Sequence, residues 1–239
     1  MNFIDKLASA QTRNQSCLCL SLDVVVADTP LPLQYFDEPM LPLAREIIAA
    51  TSDLVCAYAV NLSYFLAEGA AGMVALERIV RLIPDGLPLV FDARAGDEGA
   101  LPSLLRGAFG QFHGDAVTLR VDPGSVRASQ IGAYSDRGFF LPMPHNVIIN
   151  EPHYGFWLAE TKSDSLRQAR SLLPKNPLLL LDAASDRFPL QDMRDVFENH
   201  PGAKPMCVVG REIVYASKRM TFADDARAAA MSFRGRFSA

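Results

Sequence analysis

The sequence predicts a (β/α)8 barrel formed by a single domain over residues 1–239, and three observations indicate this fold. Short, almost wholly apolar segments recur along the chain, helical periodicity lies between several of them, and a polar residue or a turn follows each. Apolar strands of this kind are typical of a parallel sheet covered on both faces. Their alternation with helices over this length favours a closed barrel. A doubly wound open sheet is the alternative, but no G-x-G-x-x-G motif follows the first strand.

The individual elements follow from apolar patterning. Seven strands are predicted, at residues 17–22, 54–58, 87–91, 116–119, 138–141, 177–181 and 206–209. Apolar residues spaced three and four positions apart predict helices at residues 43–50, 69–83 and 163–173, and a last helix is expected after Met220. Residues 143–158 are rich in Pro, Asn and His, and we expect them to form a loop over one end of the barrel.

Composition excludes several classes of protein. The chain has a net charge of −4 and an isoelectric point near 5.6, which argues against nucleic-acid binding, because phosphates require a basic face. No apolar run approaches the roughly 18 residues of a membrane-spanning helix. No signal peptide is visible at the amino terminus, and the four cysteines form no C-x-x-C pair, so we expect a reduced protein of the cytoplasm.

Polar residues at strand ends are the candidate functional residues. In a barrel of this class, the carboxyl ends of the strands form the site. The stretch from Asp92 to Asp97 stands out, because two carboxylates flank the cation of Arg94 directly after a strand. The candidates in chain order are Asp23, Asn61, Asp92, Arg94, Asp97, Arg120, Asp122, His145, Asn146, Asp182 and Arg211.

Five segments, in the same order along the chain, carry a resemblance to a known family. They are C-L-S-L-D at Cys19–Asp23, Y-A-V-N at Tyr58–Asn61, D-A-R-A-G-D at Asp92–Asp97, D-A-V-T at Asp115–Thr118 and G-R-E-I-V-Y-A at Gly210–Ala216. These segments resemble motifs of the orotidine 5′-phosphate decarboxylases, in the bacterial branch that carries D-A-K-R-G-D. The resemblance implies a barrel that requires neither a cofactor nor a metal ion and that pairs into a homodimer.

The resemblance also implies a catalytic array of Lys, Asp, Lys and Asp, with the last Asp supplied across the dimer interface. The corresponding residues here are Ala59, Asp92, Arg94 and Asp97, so both lysines are replaced. In the family the middle lysine protonates the carbanion. Arginine has a pKa roughly 2 to 3 units above that of lysine and stays protonated in proteins. We therefore expect standard proton delivery to be lost.

Ligand-binding positions are carried over in the same way. The resemblance implies substrate contacts from Asp23, Asn61 and Thr118, a phosphate contact from Arg211, and pyrimidine contacts from the loop that here holds His145 and Asn146. The glycine-rich phosphate loop of the family is replaced by L-D-A-A-S-D-R at residues 181–187. Its two carboxylates would repel a phosphate dianion, and we expect Arg211 to pair with Asp182 or Asp186.

Three hypotheses follow. The first is a divergent barrel without the standard decarboxylase activity, which binds a small molecule, such as a nucleotide-like one, or another partner. The second is a repurposed enzyme that uses Asp92, Arg94 and Asp97 on a different substrate, such as an unphosphorylated one, with His145 or His153 as a base. The third is a residual decarboxylase of pyrimidine biosynthesis.

Overall fold

A computed structural model describes residues 1–95, 97, 99–121, 132–144, 152–159, 161–173, 178–185, 188–197 and 203–237. Eight parallel strands form a closed barrel in sequence order, and β8 pairs with β1. The strands are β1 Leu18–Ser21, β2 Ala57–Asn61, β3 Leu89–Ala95, β4 Ala116–Leu119, β5 Gly138–Pro142, β6 Tyr154–Leu158, β7 Leu179–Asp182 and β8 Met206–Val209. The predicted fold class is confirmed.

Helices surround this barrel. They are α1 Phe3–Asn14, α2 Met40–Thr51, α3 Leu62–Ala67, α4 Gly69–Val80, α5 Leu101–Leu105, α6 Ser163–Leu172, α7 Leu190–Phe197, α8 Arg211–Val214 and α9 Phe222–Phe237. A π-helical turn, Arg106–Gln111, continues α5, and short 3-10 turns lie at Val26–Asp28, Leu31–Leu33 and Gly132–Tyr134. Among the described helices, none is long and apolar enough to cross a membrane.

Two apolar layers hold the barrel together. Outward-facing strand residues pack against the helices in a large buried cluster, and inward-facing residues such as Ala59 and Phe140 form a second cluster inside the barrel. Phe3 and Leu7 of α1 belong to this inner cluster, so α1 closes the amino-terminal end of the barrel. Burial of one such large side chain stabilises the fold by roughly 1.5 to 3 kcal/mol.

The three predicted helices and the helix after Met220 are present, but helices α1, α3, α5, α7 and α8 were not predicted. Residues 143–158 were predicted to be a loop, which is wrong for Tyr154–Leu158, because these residues form β6 and pair with β5 and β7. Gly155 permits this strand to approach its neighbour closely: a Cβ atom there would lie 2.0 Å from the Leu178 carbonyl oxygen. Residues 145–151 lie outside the described residues.

Candidate functional site

A cavity of about 220 Å³ opens at the carboxyl ends of the strands, and we call this end of the barrel the mouth. The strands and the turns that follow them supply its polar lining, as expected for a barrel of this class. The polar lining comprises Ser21, Asp23, Asn61, Asp92, Arg94, Trp157, Asp182, Arg211 and Glu212, and the methyl group of Ala59 lines the cavity between them.

Asp92 is the centre of a hydrogen-bonded group on β3 and β4. Thr118, fully buried on β4, donates its hydroxyl to Oδ1 of Asp92 at 2.6 Å. Nε of Arg94 donates to the same oxygen at 2.9 Å, and the backbone N–H of Arg94 donates to the Thr118 hydroxyl at 3.1 Å. The three residues therefore fix one another, and the carboxylate and the guanidinium balance each other's charge.

Arg94 is held in an unusual conformation. Its φ is +43°, a left-handed value rare for residues other than glycine, and the pairing of β3 with β4 is irregular between Asp92 and Ala95. Such a backbone persists where its surroundings over-determine it. Trp157 contributes to this constraint, because the guanidinium carbon of Arg94 lies 4.8 Å from the centre of its ring. The indole N–H donates to the Leu119 carbonyl at 2.9 Å, which fixes the ring in turn.

Asp23 is a partly buried carboxyl of the cavity lining. Ser21 donates its hydroxyl to Oδ1 of Asp23 at 2.7 Å, and within the described part of the chain Asp23 makes no ion pair. Burial raises the pKa of the Asp23 carboxyl, the hydrogen bond from Ser21 opposes this shift, and the nearby charge of Asp92 adds to it. The Asp23 carboxyl thus holds a proton more readily than an ordinary aspartate does.

Arg211 reaches from the cavity to its rim. Its Nη2 lies 2.5 Å from Oδ2 of Asp28, and Nζ of Lys218 lies 3.1 Å from Oδ1 of the same carboxylate. The hydrogen bonds from Arg211 and Lys218 hold the pKa of Asp28 below its usual range. Arg211 was expected to pair with an internal carboxylate, but that carboxylate is Asp28 and not Asp182. Asp186 lies outside the described residues.

Sequence comparison finds relatives along the whole chain. An orotidine 5′-phosphate decarboxylase of Thermomicrobium roseum is 30% identical, over 98% of this chain and 94% of its own length. The chain belongs to the orotidine 5′-phosphate decarboxylase family. A second such protein, from Roseiflexus castenholzii, is 42% identical, but that match covers 59% of this chain and only about half, 52%, of the relative. No family model matches the sequence.

Comparison of structures gives the same fold. The orotidine monophosphate (OMP) decarboxylase of Leishmania donovani superimposes over 100% of both chains with a TM-score of 0.76 and 21% sequence identity. A protein from Toxoplasma gondii, titled as a putative OMP decarboxylase, also gives a TM-score of 0.76 at 21% identity, over 97% of this chain. At these identities the likeness establishes the barrel alone.

Six of the predicted candidate residues line the cavity: Asp23, Asn61, Asp92, Arg94, Asp182 and Arg211. Asn61 also begins α3, because its Oδ1 accepts the backbone N–H of Ser63 at 3.0 Å. Thr118 contacts the site only through Asp92 and Arg94. Asp97 is exposed and does not line the cavity; its Oδ1 accepts the backbone N–H of Gly99 at 2.9 Å. His145, Asn146 and Asp122 lie outside the described residues.

Four polar contributors to the site were not predicted from the sequence. They are Ser21 and Glu212 of the lining, Trp157, which lies within the predicted loop, and Asp28, which follows β1 and contacts Arg211 at the rim. The chemistry of the lining is acidic. Its described residues supply four carboxylates, from Asp23, Asp92, Asp182 and Glu212, against the two guanidinium groups. No group of three or more His, Cys, Asp or Glu residues is arranged to hold a metal ion in the described part of the chain.

Proposed function

We propose that this member of the family lacks the standard decarboxylase activity and binds a small, nucleoside-like molecule at the mouth. The observation that carries the proposal is the state of Arg94. It stands where the family motif has lysine, and its guanidinium is paired with Asp92 and stacked on Trp157. The other lysine position holds Ala59, whose methyl group is buried against the cavity.

The chemical reason is the difference between arginine and lysine as acids. A general acid works best when its pKa lies near the value that the step requires. An arginine side chain stays protonated under all ordinary conditions, so it neutralises a carboxylate well but releases a proton poorly. With Ala59 in place of the other lysine, the described lining holds no ammonium group. The site therefore lacks a group that could protonate the carbanion in the way that the family's lysine does.

A specific observation favours one alternative, a repurposed enzyme. The raised pKa of Asp23 makes its carboxyl a candidate proton donor, while Asp92 is paired with the guanidinium of Arg94. Two carboxyl groups in such different surroundings can divide acid and base roles. On this alternative, Asp23 and Asp92 act together with Arg94 on a different substrate.

The assembly and setting of the protein are part of the proposal. We propose that residues 1–239 act as one domain and that two copies pair with Asp97 near the partner's site, since Asp97 is exposed and outside the cavity of its own chain. The four cysteines are buried and unpaired, and burial raises the pKa of each thiol. Unreactive free thiols of this kind support a reducing compartment, the cytoplasm.

Turnover of orotidine 5′-phosphate tests the loss of activity. We expect no turnover by the protein above the uncatalysed rate, measured from the absorbance change on decarboxylation. The double variant Ala59→Lys/Arg94→Lys supplies both ammonium groups and is the positive comparison, and any gain there locates the defect at these two positions. Rapid formation of uridine 5′-monophosphate by the unaltered protein, abolished in Arg94→Ala, would contradict the proposal.

Ligand binding is tested independently of turnover. Trp157 is the only tryptophan in the chain and lines the cavity, so its fluorescence reports occupancy of this site. We expect titration with uridine to change the emission of the protein and to have a smaller effect on Trp157→Phe, which lacks the reporter. Turnover of an unphosphorylated nucleoside would favour the repurposed enzyme instead. A flat titration with uridine and related nucleosides would refute nucleoside binding.

A further inference from the structure

Two cations at the rim of the cavity converge on one side chain. Asp28 lies in the 3-10 turn that follows β1, whereas Arg211 and Lys218 follow β8, the neighbouring strand of the barrel. Arg211 contacts one carboxylate oxygen of Asp28 at 2.5 Å, and Lys218 contacts the other at 3.1 Å. Each carboxylate oxygen therefore accepts a hydrogen bond from a cation, as the oxygens of a bound anion would.

The surroundings of this carboxylate are fixed from two sides. The guanidinium carbon of Arg211 lies 5.4 Å from the centre of the Tyr215 ring. The Tyr215 hydroxyl accepts the backbone N–H of Val25 at 2.6 Å, directly before the turn that carries Asp28. Arg211 and the turn thus contact the same tyrosine, and Arg211 also lines the cavity.

We propose that Asp28 is an internal anion that occupies an anion-binding position at the mouth and thereby excludes ligands that carry a phosphate monoester. This proposal rests on the proposed function, in which the cavity binds a small ligand, and it names a class of ligand that the site rejects. Without the carboxylate of Asp28, Arg211 and Lys218 form a phosphate-binding pair next to the cavity.

Competition explains why the internal anion prevails. Asp28 is attached to the same chain, so its effective concentration at the two cations is at least in the millimolar range. A free phosphate must displace it and must also approach Glu212, which lines the same cavity. The contact is accessible to solvent: the Asp28 side chain is 27% exposed and those of Arg211 and Lys218 about half exposed. Replacing Asp28 therefore leaves the core of the fold intact.

The test removes the internal anion and measures phosphate binding. The probe is inorganic phosphate, titrated by calorimetry against the protein and against Asp28→Asn. We expect the variant to bind phosphate at least about tenfold more tightly, a change of 1.4 kcal/mol. The gain should weaken with added salt and vanish in Asp28→Asn/Arg211→Gln. Uridine 5′-monophosphate should then bind the variant more tightly than uridine does, whereas the unaltered protein should not prefer the phosphorylated form.

A matched control carries the same change of charge elsewhere. Asp53 forms a two-point ion pair with Arg227 and lies on the amino-terminal side of β2, away from the mouth. Asp53→Asn should leave phosphate binding unchanged, and Asp28→Ser should reproduce the gain if Asp28→Asn fails to fold. Equal phosphate affinity in the protein and both Asp28 variants would overturn the proposal. Inorganic phosphate requires no nucleoside contact, so a failure of uridine to bind contradicts the proposed function without affecting this result.

Discussion

The two ends of the barrel treat buried charge in opposite ways. At the amino-terminal end, which we call the floor, α1 closes the barrel and the carboxylate of Asp115 is only 11% exposed. At the mouth, Asp23 is partly buried and, among the described residues, makes no ion pair. The buried carboxylate of the floor is therefore neutralised, whereas the mouth pairs Asp92 with Arg94 but leaves Asp23 without a paired cation.

Groups from three parts of the chain contact the Asp115 carboxylate at the floor. Nζ of Lys6, on α1, lies 2.8 Å from Oδ2 of Asp115. The same oxygen accepts the backbone N–H of Leu89, at the start of β3, at 2.9 Å. Arg137, just before β5, lies 3.8 Å from the other oxygen. One carboxylate therefore links the closing helix to the strands beneath it.

Removal of Asp115 should have the largest effect on stability. Asp115→Ala leaves the Lys6 ammonium and the Leu89 N–H without their partner, and breaking a buried pair in this way costs about 3 kcal/mol. For a chain of this length, that corresponds to a fall in Tm of about 6 to 12 °C, measurable by calorimetry. The mouth should be unaffected, so the tryptophan fluorescence of the folded variant should equal that of the protein.

A neighbouring aspartate provides the control for the floor. Asp136 also lies near Arg137, with 3.4 Å between their charged atoms, but its side chain is 57% exposed. Exposed pairs of this kind contribute about 0 to 1 kcal/mol. Asp136→Ala should lower Tm by no more than a few degrees, and an equal loss in both variants would show that burial of the Asp115 carboxylate does not determine its contribution to stability.

Removal of the Asp23 carboxylate at the mouth should increase stability, which is the opposite of the effect expected at Asp115. Burial raises the pKa of Asp23 in the folded chain, so the free energy of unfolding falls as pH rises from the ordinary aspartate pKa of about 3.9 through the raised value. At pH 7 the full free-energy cost of ionising the partly buried Asp23 carboxyl is present. Asp23→Asn removes the charge and keeps an acceptor for Ser21, and it should stabilise the fold by on the order of 1 kcal/mol.

The pH dependence separates this effect from a change in packing. Thermal melts of the protein and of Asp23→Asn should differ at pH 7 and converge near pH 3, where the carboxyl is protonated in both the folded and the unfolded chain. A difference in Tm that persists unchanged at pH 3 would mean that charge is not its cause. Loss of stability at pH 7 would show that Asp23 has a partner that the described contacts do not include.

The sequence was sufficient for most of the barrel because strands of a parallel sheet covered on both faces are almost wholly apolar. Strand β6 was missed because the Pro-, Asn- and His-rich residues before it, among them Pro152 and His153, gave the whole stretch the composition of a loop. Helix α1 did carry signals. Asn2 accepts the backbone N–H of Asp5 as a helix cap, and Phe3, Leu7 and Ala10 form one buried face. Its position at the floor could not be predicted, because that position depends on tertiary packing against the inner cluster.

The site was predictable only as far as strand ends determine it. Asp23, Asn61 and Asp92 follow or end apolar strands, so barrel geometry alone brings them together at the mouth. The partner of Arg211 could not be predicted in this way, because Asp28 is 183 residues distant in the chain. Only closure of the barrel between β8 and β1 brings this pair together.

The smallest change in stability is expected from relieving backbone strain, which occurs at both ends of the barrel. Gln15 ends α1 at the floor with φ of +48°, and Arg94 lies at the mouth with φ of +43°. Gln15→Gly relieves a left-handed conformation at a helix end, where glycine is favoured, and should stabilise the fold by about 0.5 kcal/mol. Arg94→Gly gains the same relief but loses the ion pair to Asp92, so its net change should be near zero.

Gln15→Ala and Arg94→Ala keep a Cβ atom and give the baseline at each position. Denaturant melts of all four variants measure the difference, and an equal gain at both positions would show that the Arg94 contacts contribute nothing to stability.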